Sequence, residues 1–260
     1  MAISLASLVT KANPKPPIIL THGLHGLGKT SFGAAAPNPV GIFTEDGLGK
    51  LEFPHFPVAE SYADVMDAIG VLYNDEHEFK TLVFDSVDHL EPLVWAETCA
   101  RHGWQSIEQP GYGKGYNEAD IVWAEFFDAL SALRNDREMI IYMIAHTRIE
   151  RFESPETEPY DRYTIKLHKR AAALAQEKSD IVFFMNQRTT TKDNETTKDG
   201  GKNATPKSVR GGGLGPRTLF TERRPAWEAK NRFGLPPEIQ LGAVDDMPAT
   251  WDAILEHVFN

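Results

Sequence analysis

A short apolar run, Ile18-Ile19-Leu20, leads into Thr21-His22-Gly23-Leu24-His25-Gly26-Leu27-Gly28-Lys29-Thr30-Ser31, and few folds accommodate that order. Gly23, Gly28, Lys29 and Thr30 satisfy G-x-x-x-x-G-K-[ST], the pattern of a phosphate-binding loop set between a buried strand and a helix. Glycines allow the backbone to curl so that successive N–H groups point inward at phosphate oxygens. The helix that follows turns its positive end toward the same anion. Residues 23–31 are therefore expected to hold a nucleoside triphosphate, with Lys29 on its β- and γ-phosphates and the Thr30 hydroxyl on Mg²⁺. A glycine turn with an incidental lysine is the plainer reading, and the flanking strand and helix patterns weigh against it.

Apolar runs alternate with helical patterns along the rest of the chain. Val40–Glu45, Thr81–Asp85, Met139–Ala145 and Asp180–Asn186 read as strands, with helices expected at 61–73, 87–101, 117–134, 169–178 and 251–259. Ser61 and Asp64 are spaced as a capping box with Asp in the Glu place. Strands buried on both faces and alternating with helices predict an α/β fold with a mostly parallel sheet. Residues 148–161, charged and holding two prolines, read as a loop, with Tyr163–Leu167 extended after it. Residues 1–16 read as an arm and 17–188 as the core. Residues 189–217, rich in Thr, Lys, Asp and Gly, read as a flexible hairpin or flap, and 218–260 as an extension completing the same domain.

With 260 residues and 41% hydrophobic content, a sizeable core is expected. The single cysteine, Cys99, excludes an internal disulfide, no Cys/His set has zinc spacing, and a reducing, cytoplasmic setting is expected. Residues 1–15 lack signal-peptide character, and no apolar run approaches the length of a membrane span. A net charge of −10 argues against a protein that merely coats nucleic acid. The charge is unevenly spread, however: 18 of the 27 Lys/Arg but only 12 of the 37 Asp/Glu lie within 148–232. A one-sided basic surface is compatible with that distribution.

Asp85 closes an apolar strand and is expected on the Mg²⁺, although a helix N-cap at Asp85-Ser86 is the ordinary alternative. Where many ATPases place a glutamate directly after such an aspartate, this chain has Ser86. Glu45, ending the neighbouring strand, is the better candidate to orient water, against the alternative of a solvated loop acid. His146 ends the strand expected between the loop strand and the Asp85 strand. From there it could sense the γ-phosphate and pass its presence to the next loop, or simply satisfy its own backbone.

At this point the pattern resembles a known family. Leu82-Val83-Phe84-Asp85-Ser86-Val87 after such a loop resembles the core of RecA-type recombinases, in which a second-strand glutamate acts as base, as Glu45 would. Lys230-Asn231-Arg232-Phe233-Gly234 resembles the signature of the RadA branch, which implies that Lys230 and Arg232 reach ATP bound by an adjacent subunit. Ala145-His146-Thr147 is similar to the RadA strand end that precedes a DNA-facing loop. The chain most resembles phage-encoded, minimal RecA cores that act as ATP-linked single-strand annealing proteins, over about residues 17–240. RadA's zinc finger and protease-like domain have no counterpart here. The likeness implies a RecA-like P-loop NTPase core with a C-terminal hairpin extension, ATP and Mg²⁺ as cofactors, and a homo-oligomeric ring or filament. It also implies single-stranded DNA and a single-strand-binding protein as partners.

Two segments could meet DNA. Tyr112, Lys114 and Tyr116 combine a cation with two stacking faces among glycines. Arg148, Arg151, Phe152, Arg162 and Lys166 follow His146, where the family keeps a DNA loop. Glycine-aromatic loops also pack over active sites, and the second segment alternates with acids. A nucleotide-switched assembly or loading factor that contacts proteins is the rival reading. A small-molecule kinase is disfavoured by the lack of a visible acceptor pocket.

Overall fold

The computed structural model describes residues 14–193 and 209–260. The first strand, β1 (Ile18–Gly23), is followed by α1 (Lys29–Ala34), β2 (Pro39–Phe43), α2 (Tyr62–Asn74), β3 (Thr81–Asp85) and α3 (Val87–His102). Next come α4 (Lys114–Asp136), β4 (Ile140–Phe152), β5 (Tyr160–Ile165), α5 (Lys169–Lys178) and β6 (Ile181–Asp193). The chain continues through β7 (Val209–Phe220), β8 (Lys230–Asn231), β9 (Glu238–Leu241) and α6 (Met247–Phe259). The strand order is β2-β3-β4-β1-β6-β7-β9, with β5 paired to β4 and β8 to β6. Strands β2, β3, β4, β1 and β6 run parallel, whereas β7 and β8 are antiparallel to β6. The expected mostly parallel sheet flanked by helices is present.

Alternation along β1 shows how the two layers arise. Ile18 and Leu20 face a core shared with α2–α5, including Phe126, Phe127 and Trp123, while Ile19 faces the opposite layer with Phe32, Tyr142 and Trp251. All six residues of β1 are buried, so the sheet covers the loop strand on both sides and its end opens only at Gly23. The helix α2 starts on the predicted capping box: Asp64 N–H donates to Ser61 Oγ (3.1 Å), and Ser61 N–H donates to Asp64 Oδ2 (2.9 Å).

One stretch differs from the sequence expectation, and another takes the hairpin form of the two expected. Residues 148–152 are not loop. They prolong β4, and β5 pairs antiparallel with this extension from Thr147↔Ile165 to Phe152↔Tyr160. Pro155 and Pro159 sit in the turn between the two strands, where they break no ladder. In 189–217, strands β6 and β7 form a long antiparallel hairpin with two register shifts. Its connection, with Lys198, Lys202 and Lys207, lies outside the described residues, as does most of the expected N-terminal arm. The short polar strand β9, edge-paired to β7, has no apolar run to announce it.

Candidate functional site

The loop after β1 keeps its curl through two glycines that nothing else can replace. A Cβ at Gly23 would run into the Met185 carbonyl oxygen of β6, and Gly28 has φ +89°, in the left-handed region. The Lys29 ammonium donates to the Gly23 and Leu24 carbonyls (3.0 and 2.9 Å). Burial lowers its pKa, and Asp85, Asp88 and Glu45 oppose that shift. The helix α1 has only six residues, so it offers less dipole than the sequence suggested, and the loop's own amides and Lys29 must carry the attraction for an anion. Its position is fixed from behind: Tyr142 Oη donates to the Lys29 carbonyl (3.2 Å), and Trp251 Nε1 donates to the Phe32 carbonyl (2.7 Å).

Thr30 Oγ1 donates to Asp85 Oδ2 at 2.7 Å, which brings two hard oxygen donors together from α1 and the end of β3. Asp85 is buried, which raises its pKa; the Thr30 hydrogen bond opposes the rise and the neighbouring Glu45 adds to it. An all-oxygen pair of this kind suits a divalent cation such as Mg²⁺ and not a soft metal. Glu45 lies just past β2, which is the immediate neighbour of β3, so the two carboxylates share one crevice. That crevice, about 370 Å³, is lined by loop residues from His25 to Ser31 together with Glu45, Asp85 and His146.

Around Glu45 the structure assembles a cluster in which sequence reasoning weighs Asp88 only as a weaker base than Glu45 and passes over His89. Ser86 Oγ donates to Glu45 Oε1 (3.1 Å), and His89 Nδ1 lies 3.1 Å from the same oxygen. His146, on β4 between β3 and β1, is clamped by Asp88. Its backbone N–H donates to Asp88 Oδ1, its Nδ1 lies against Oδ2, each at 2.9 Å, and its ring stacks on His25 at 4.0 Å. Burial opposes the ionisation of Asp88, but its bonds to His146 dominate and hold it at about 2, so it is a carboxylate under all ordinary conditions. The His146 ring and then burial lower the His25 pKa. Glu45, His89 and His146 present ligand atoms within 4.8 Å of one another. The signal for His89 and Asp88 was their position one turn into the helix that starts at the Asp85 strand end.

The cationic candidates divide. Arg148, Arg151 and Lys166 are about half-exposed, and the first two line a cleft of about 270 Å³ between the β4–β5 hairpin and α5. Lys166 turns back toward the crevice, 3.6 Å from Asp88. Phe152 and Arg162 line the same cleft but are already engaged: Arg162 is buried in an ion pair with Glu228 and lies over the ring of Phe152 (4.7 Å), which pairs with Tyr160 at the turn end of the hairpin. Tyr112 is fully exposed and Lys114 exposed, but Tyr116 stacks on His168 (4.2 Å), meets Trp95 edge-on and donates to Glu108 (2.9 Å). Its ring is occupied.

Lys230 and Arg232, expected to reach ATP bound by an adjacent subunit, lie away from this chain's own phosphate loop. They sit where β8 pairs with the start of β6, at the opposite end of the sheet from the phosphate loop. The Lys230 ammonium donates to the Gln176, Glu177 and Ser179 carbonyls and so caps the C-terminus of α5. Arg232 pairs with Asp180 (3.0 Å), which also accepts from the Ile18 N–H at the start of β1. Neither reaches the chain's own phosphate site.

Compared with known protein families, residues 15–233 match the model of a family described as an AAA domain. The chain belongs to the AAA domain family. The match spans the loop, Glu45, Asp85, His146 and the Lys230–Arg232 segment, and this AAA chain is accordingly a nucleotide-binding P-loop ATPase. No curated protein matches it. Among the described residues of this AAA domain, no helix is long and apolar enough to cross a membrane.

Proposed function

We propose that this AAA-domain ATPase binds ATP with Mg²⁺ held by Thr30 and Asp85, hydrolyses it with Glu45 orienting the water, and thereby switches its grip on single-stranded DNA in recombination or annealing. Bound there, Mg²⁺ would supply charge neutralisation on the phosphate oxygens. Lys29 binds the phosphates; Ser86 and His89 fix the Glu45 carboxylate. The observation that carries the DNA reading is the continuity of β4. One unbroken strand holds His146 in the phosphate crevice and, a few residues on, projects Arg148 and Arg151 into a solvent-facing cleft. A displacement of His146 by the γ-phosphate is thus passed to the cationic hairpin without a hinge. The likeness to minimal RecA cores supports the same reading.

The test is a salt titration of single-stranded DNA binding with and without ATP. A steep salt slope that changes with nucleotide is expected. No binding at low salt in either state would favour the rival, a nucleotide-switched assembly or loading factor. That rival has its own observation: Arg148 and Arg151 sit near Glu150 and Asp161 (3.5 and 3.6 Å), and Ile149 between them is exposed, as suits a protein partner. Self-association is part of the proposal, since Arg232 could serve only a neighbour's phosphate site.

A further inference from the structure

Gly28 is required for a second reason besides its φ. A Cβ there would stand 2.7 Å from Nη1 of Arg217, a residue of β7. This arginine comes from the far part of the chain and lies against the last glycine of the phosphate loop. Its other terminal nitrogen, Nη2, donates to the Gly242 carbonyl just after β9 (2.8 Å), which anchors the guanidinium in place. Among the described residues no carboxylate pairs with it.

The sheet order gives this placement its meaning. Asp85 and Glu45 lie on the β3 and β2 side of β1, so the γ-phosphate end of a bound nucleotide belongs on that side. The phosphate chain then passes over Gly28–Ser31, and the nucleoside end is left with the β6 and β7 side, where Arg217 stands. Guanidinium is the group best suited to a phosphate oxygen in this position, because it can bond the anion while still holding the carbonyl.

We infer that Arg217 is a nucleotide-contacting residue that binds the α-phosphate end of nucleoside di- and triphosphates from the side opposite Asp85. This rests on the nucleotide reading of the loop and deepens it. Because ADP and ATP share the α-phosphate, the contact is worth the same to both.

The experiment is calorimetric titration of the whole chain with ADP and with the unhydrolysable analogue AMP-PNP, in wild type, Arg217→Ala and Arg217→Lys, each checked for folding by a thermal melt without nucleotide. Arg217→Ala should weaken both nucleotides by the same factor, about 10- to 100-fold, the scale of one charge-assisted hydrogen bond. Arg217→Lys should recover part of the loss, because the charge remains and the fork does not. If Arg217→Ala does not fold, the lysine variant alone decides, with an equal and smaller loss for both nucleotides expected. Wild-type affinity for ADP in a folded variant would overturn the inference. So would a loss confined to AMP-PNP, or a loss confined to single-stranded DNA binding. Failure of the wild type to bind either nucleotide would instead remove the phosphate-site reading itself, and Arg217's role with it.

Discussion

Glu45 is held by Ser86 Oγ and His89 Nδ1 in a partly exposed position, whereas Lys29 lies buried against the loop. The two therefore separate experimentally. Glu45→Gln should leave ATP affinity within a few-fold of wild type and cut single-turnover hydrolysis by about 10²–10⁴-fold, the usual worth of a positioned base. Lys29→Ala should lose affinity and hydrolysis together. A different residue governs acid stability. His22, wholly buried on β1, bonds Thr147 Oγ1 (3.0 Å) and the Glu228 carbonyl (2.9 Å), and burial lowers its pKa to about 3. The unfolded chain takes up a proton there near 6.5 and the folded chain does not, so His22 costs stability as pH falls below 6.5. Between pH 7 and 5 the cost is about 2 kcal/mol. Glu91, pushed up to about 7 by burial, works in the opposite sense, with stability gained as pH falls through 7 toward its ordinary value. Wild type alone therefore need not show a slope. Urea melts at pH 7 and 5 should show His22→Gln gaining about 2 kcal/mol relative to wild type over that interval. Equal pH dependence in the two proteins would contradict the assignment.

At the scale of elements, the β4–β5 hairpin separates its exposed cations from its internal one. Arg148→Ala and Arg151→Ala should each weaken single-stranded DNA binding across sequences and reduce the salt slope by about 1, with melting temperature unchanged. Arg162→Ala should do the reverse. Removing it leaves Glu228 unpaired beneath the hairpin and should cost about 3–5 kcal/mol of stability, as breaking a buried pair does. These elements also show what a sequence discloses. The loop residues 23–31 were legible because their chemistry is local: glycine conformations and a lysine at fixed spacing admit one reading. Asp85, Glu45 and His146 were legible one step further: Asp85 ends β3, Glu45 lies just past β2 and His146 comes level with Gly23 on a β4 that runs on beyond it, and parallel strands bring these positions to one edge. His89 and Arg217 were not, since their importance depends on which way a helix face turns and on a strand pairing from the far part of the chain. Arg162 and Tyr116 were misleading for a related reason. Composition marks a cation or an aromatic ring but not whether Glu228 or His168 already occupies it.

In the whole molecule the phosphate crevice and the Lys230–Arg232 segment lie at opposite ends of one sheet, so shared sites would require subunits stacked end to end. Mixing Lys29→Ala with Arg232→Ala protein tests this. In a shared-site assembly the mixture should regain ATPase activity that neither variant has alone, and no recovery at any ratio would count heavily against it. Lys230→Ala should mainly destabilise α5, because its ammonium already caps that helix. The other global feature is the wedge of Trp251 on Phe32, stacked at 4.7 Å with its indole N–H on the Phe32 carbonyl. During synthesis the loop leaves the ribosome well before the buttress behind its short helix, which follows Phe32 by 219 residues. A nascent chain stalled before Trp251 has left the exit tunnel should therefore retain no ATP on an affinity resin, while one stalled well beyond it should. The order of translation would itself delay the onset of nucleotide capture until the helix that carries Trp251 has followed.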